Sequence, residues 1–177
     1  MKKWEDDKKW SDKFLHEIKG IIGQSLMSEP PVEEDRERNT DLVVLRMDAV
    51  RVACRIRRNE YLDRYSHEFT IRAGRPSGTK TELTKIIEGW GDYIFYGFAD
   101  EDEESLAAWF LGDLNAFRLY HSKCLVKNKG ILPGKYKNNT DNSSNFHAYD
   151  WAEIPGFIVS KHPGLASPLE EVVYEVV

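Results

Sequence analysis

Between residues 51 and 86 the chain carries nine basic side chains against four acidic ones, and seven of the nine are arginine. Guanidinium forks match phosphate and carboxylate oxygens in pairs, which a lysine ammonium does not. Arg51, Arg55 and Arg57 occupy the odd positions of a segment whose even positions are Val50, Val52, Cys54 and Ile56. That is strand period two, so the three arginines share one face. Arg72 shares a face with Glu68 and Thr70 in a second alternating run, and Arg58, Arg75 and Lys80 fall in the flanking loops. Brought together, these basic groups form a surface that tracks the phosphates of a nucleic acid. Tyr61, Tyr65 and Trp90 are near enough in sequence to stack bases. The alternative stays open: residues 87–117 hold eight acidic groups and no basic one, with which the arginines could simply pair.

The elements that must position these groups follow from periodicity. Residues 9–27 read as an amphipathic helix capped by Ser11, with Phe14, Leu15, Ile18, Ile21, Ile22 and Leu26 at helical spacing. Leu42 to Leu45, the segment around Val52 to Arg57, and Glu68 to Arg72 read as three strands of an antiparallel meander. Thr79 to Glu82 reads as a capping box opening a helix that Gly89 or Gly91 stops. Tyr93 to Phe98 is an apolar strand. The acidic run Asp100 to Glu104 reads as a helix start, ahead of Leu106, Trp109, Phe110 and Leu114. From Leu119 the pattern weakens, with a polar loop at Asn138 to Asn145 and late strands near Phe157 and Val172. The expected fold class is α/β (α+β), an α-β-β-β-α-β core with a mixed sheet flanked by helices. Residues 1–118 form that core and residues 119–177 a loop-rich extension packed on the same domain.

This order, with Asp41 before one strand and the triplets Arg55-Ile56-Arg57 and Glu68-Phe69-Thr70 on the next two, resembles the PD-(D/E)xK, or restriction-endonuclease-like, nuclease superfamily. The resemblance covers roughly Ser11 to Arg118 and points toward phage or prophage members. It implies Mg²⁺-dependent phosphodiester hydrolysis, with Asp41 as the first acid and Glu68 as the second. Asp41, Glu68 and Glu37 would hold the metal, joined by Glu17 from the helix. Lys80 or Lys85 would supply the positive charge that the motif places after its second acid, and Arg57 would take an electrostatic role. Such a metal polarises the phosphate and acidifies a bound water. Arg57 stays protonated and cannot be the base. The sequence departs from the pattern where Arg55 stands at the second acid of one triplet and Thr70 at the lysine of the other. Hairpin register decides part of the outcome: a two-residue turn at Asp48-Ala49 sets Asp41 opposite Ile56, a three-residue turn opposite Arg55.

Composition narrows the alternatives. The formal charge is −5, which excludes a generally basic coat but not a local basic patch. No apolar run approaches membrane-helix length, and the opening Met1 to Asp7, followed by no apolar core, leads us to expect no signal peptide. With Cys54 and Cys124 in no metal-ligand spacing, a cytoplasmic protein is expected. The five histidines are scattered, and no nucleotide-binding P-loop, serine-hydrolase elbow or zinc-protease motif is present. Two further functions compete with hydrolysis. One is non-catalytic nucleic-acid binding on the same fold. The other is a protein-interaction module, oligomeric or not, using strand 93–98 and the acidic run 100–104.

Overall fold

The computed structural model describes residues 4–25, 27–28, 43–44 and 50–165. Its helices are α1 (Trp4–Asp12), α2 (Leu15–Ser25), α3 (Leu62–Tyr65), α4 (Glu82–Ile87) and α5 (Leu114–Lys127). Its strands are β1 (Met27–Ser28), β2 (Val43–Val44), β3 (Val52–Arg57), β4 (Glu68–Gly74), β5 (Tyr93–Ala99), β6 (Leu106–Asp113), β7 (Lys135–Asn138), β8 (Asn145–Asp150) and β9 (Ile158–Lys161). A four-stranded mixed sheet runs β3-β5-β6-β9 and a three-stranded antiparallel sheet runs β4-β8-β7, while β1 pairs with β2. The expected class, a mixed α/β fold, stands.

The four-stranded sheet is covered on both faces, which is why its central strand reads as an unbroken apolar run. Phe95 on β5 packs with Phe14 and Ile18 from the α2 side. Ile94, Tyr96 and Phe98 turn the other way, into a core shared with β4, β8, α4 and α5. Phe69 of β4 is central to that core: its ring stacks on Phe157 at 4.8 Å and on Tyr149 at 5.5 Å.

Several expected elements are corrected. The meander does not form. β3 pairs in parallel with β5 (Arg55 with Tyr96, Arg57 with Phe98), and β4 leaves for the other sheet, pairing with β8. Alternation marked both strands correctly but carried no information about partners. The helix expected over 9–27 is two helices, with a turn at Lys13 and Phe14. Thr81, not Thr79, caps α4, accepting from the Thr84 amide at 3.4 Å. The acidic run is a tight turn between β5 and β6, not a helix start. Asp100 accepts from the Glu104 and Ser105 amides at 2.9 and 3.1 Å, and Glu103 adopts φ 58°. Residues 106–113 are then strand, their period blurred because both faces are covered. Beyond residue 118, α5 runs across the expected boundary, and β7, β8 and β9 complete both sheets. The segment near Val172 and the Asp48-Ala49 turn lie outside the described residues.

Candidate functional site

Among the described residues β3 is an edge strand of its sheet. In its register with β5, Arg55 and Arg57 share a face with Tyr96 and Phe98 and turn toward β4. On β4, Glu68, Thr70 and Arg72 form the matching face. Ladder pairing extends the rows across the second sheet: Arg72, Phe146 and Lys137 lie side by side, as do Thr70, Ala148 and Lys135. Between these faces, α1 and the turn 59–65 lies a cleft of about 830 Å³. Among the described residues, six basic side chains line it (Lys8, Arg55, Arg57, Arg58, Arg72 and Lys137) against three acidic ones (Asp7, Glu60 and Glu68).

The arginines are held differently. Arg55 Nη1 donates to Glu82 Oε2 at 3.0 Å and to the Thr70 carbonyl at 3.1 Å. Arg58 pairs with Glu103 and lies 4.8 Å from the centre of the Trp10 ring. Glu103 also accepts from Trp10 Nε1 at 2.6 Å. That bond, followed by the Arg58 interactions, holds the Glu103 carboxyl below its ordinary range. Among the described residues, Arg57 donates to neutral groups only, the hydroxyls of Thr70 at 3.4 Å and Tyr96 at 3.3 Å, and stacks on Tyr61.

Arg72 is half-buried, and among the described residues no carboxylate bonds its guanidinium. Burial lowers its pKa first, followed by repulsion from Arg75 and Arg55, with Glu82 opposing. Glu82 is therefore the local counter-charge. One of its oxygens takes both Arg55 and, at 3.2 Å, the Arg72 backbone amide.

Of the residues expected from sequence, the cleft brings together Arg55, Arg57, Arg58, Arg72 and Glu68, with Tyr61 and Tyr65 beside them. Arg51, Arg75, Lys80 and Lys85 are not part of its lining. Arg51 instead lies 6.0 Å from the Trp90 ring, and Lys80 pairs with Glu88 at 2.7 Å. Asp41 and Glu37 lie outside the described residues. Glu68 is buried and bonded to Lys135 at 2.6 Å, with His67 Nε2 at 3.9 Å. Glu17 is committed elsewhere, accepting from the Leu106 amide at 3.1 Å. No group of three or more His, Cys, Asp or Glu among the described residues could hold a metal ion.

Sequence reasoning missed Lys8, Trp10, Lys135 and Lys137. The alternation Lys135-Tyr136-Lys137 was a usable strand signal; Lys8 and Trp10 carried none, because α1 reaches the cleft only through tertiary packing. Strand 93–98 is buried at the centre of its sheet, so it offers no surface for a protein partner. No helix among the described residues is long and apolar enough to cross a membrane. Comparison with protein-family models, with curated proteins and with solved structures finds no match.

Proposed function

We propose that this chain binds nucleic acid through the cleft, with Arg57, Arg72 and Lys137 taking phosphate oxygens. The observation that carries this reading is Arg72: a half-buried guanidinium beside like charges, to which no described carboxylate is bonded. It stays protonated, and burial and the neighbouring arginines raise the cost of that charge, which an incoming anion would offset. Arg57, fixed by hydroxyls and an aromatic face and bonded to no carboxylate among the described residues, is a second donor ready for the same anion. The basic excess of the lining favours a polyanion over an acidic side chain alone.

The test is fluorescence anisotropy with labelled DNA and RNA at low salt in EDTA. Binding is expected, weakened about tenfold or more in the Arg57→Ala/Arg72→Ala double variant. No binding to any of these nucleic acids ends the reading. Hydrolysis would require Asp41 and Glu37 to join Glu68, whose carboxylate is already bonded to Lys135. Mg²⁺-dependent cleavage that Asp41→Ala abolishes would add that activity to the binding one.

A further inference from the structure

We infer that the nucleic acid this cleft takes is single-stranded, with a base laid against the ring of Tyr65; the inference rests on the binding function proposed above. The turn Asn59–Tyr61 and helix α3 carry two aromatic rings into the lining, Tyr61 and Tyr65. Their centroids are 6.3 Å apart and their planes are inclined by 37°. Arg57 covers Tyr61, its guanidinium carbon 4.1 Å from the ring centre, and Tyr61 also packs on the core. Tyr65 does neither. Among the described residues it meets no cation and one ring only, and it packs in neither core cluster. A half-buried aromatic face outside both core clusters, in the same lining as Arg57 and Arg72, whose guanidinium groups bond no carboxylate among the described residues, suits a base next to its own phosphate.

The concave shape supports the same conclusion. A duplex keeps its base faces inside the stack and offers only backbone and groove edges, so it cannot use Tyr65. A single strand can place bases within the cleft and phosphates at Arg57 and Arg72 together. The β7–β8 hairpin adds Lys137, Asn138, Asn139 and Thr140 to the lining, a polar rim able to bond backbone and base edges without selecting a sequence.

The experiment compares a fluorescein-labelled 12-nucleotide oligo(dT) and its RNA counterpart with a blunt 12-base-pair duplex, on the full chain in EDTA. Either single strand should bind at least about tenfold more tightly than the duplex. Tyr65→Ala and Tyr65→Leu should each weaken single-strand binding about fivefold or more, and Tyr65→Phe should restore it. Equal or tighter duplex binding overturns this inference and leaves the nucleic-acid reading standing. So does single-strand binding that is indifferent to all three substitutions. If no oligonucleotide binds, the underlying reading has failed instead.

Discussion

The guanidinium carbon of Arg57 lies 4.1 Å from the centre of the Tyr61 ring. The same side chain donates to Thr70 on β4 and Tyr96 on β5, so one edge-strand arginine is gripped from both sheets and from the turn that follows it. Each contact is with an uncharged group, and the cation–π contact is worth about 0.5–2 kcal/mol. Position is fixed while charge is kept, which lowers the ordering cost of binding an anion.

Arg72 makes the opposite trade. Its charge is disfavoured by burial and by Arg75 and Arg55. Arg72→Met keeps the aliphatic stem and removes the repulsion. The melting temperature is expected to stay unchanged or rise by about 2–4 °C, while affinity for an oligonucleotide falls. Calorimetry and anisotropy on the same sample check both; a clear loss of stability would show that the guanidinium serves the fold instead.

Glu82 is the strut between the sheets, joining the Arg55 side chain to the Arg72 amide. Its side chain is partly exposed (29%), so screening limits the ion pair. Glu82→Ala should cost about 1–2 kcal/mol in urea unfolding, and Glu82→Gln less, because the amide oxygen can still accept from the Arg72 amide. Equal loss in both variants would assign the whole effect to charge.

Gly112 on β6 faces the Phe157 ring, into which a Cβ would project. Phe157 is fully buried and stacked on Phe69 at 4.8 Å, so it has no room to withdraw. Gly112→Ala is expected to destabilise by about 1–3 kcal/mol, read as a lower denaturation midpoint with an unchanged slope.

His121 on α5 is 2% exposed, and neither ring nitrogen has a hydrogen-bond partner among the described residues. Burial, then the neighbouring His147, lowers its pKa below the ordinary 6.5. Well above pH 6.5 both folded and unfolded chains hold it neutral, and it contributes no pH dependence. As pH falls from there toward the lowered folded value, only the unfolded chain takes up the proton, so stability drops by at most about 1.4 kcal/mol per pH unit. Below the folded value the loss levels off. Urea titrations from pH 7.5 downward should show this slope in the wild type and a shallower one in His121→Leu; identical slopes would place the acid sensitivity elsewhere.

The sequence made the arginine stripe legible because strand alternation is local: Arg55 and Arg57 had to share a face wherever β3 went. It also revealed β4, α4 and β5. Their pairing was not legible, since the same alternating Glu68 to Arg72 fits a neighbouring strand of one sheet as well as a strand of another. The acidic run misled for a local reason. Asp100 can satisfy a turn as readily as a helix start, and here its carboxylate closes the turn through Ser105. The cleft's lysines were hidden for a further reason. Lys8 and Lys137 lie 129 positions apart and meet only once α1 and the β7–β8 hairpin are packed.

The most direct test of the binding account is the salt dependence of oligonucleotide affinity, measured as the slope of log K against log salt. Wild type should show a negative slope of about 0.7 per phosphate contacted. Arg57→Ala and Arg72→Ala should each flatten it by about one contact, while Lys127→Ala, outside the cleft lining, leaves it unchanged. A slope that the two arginine variants share with the wild type, or that Lys127→Ala alters as much, would contradict phosphate binding in the cleft.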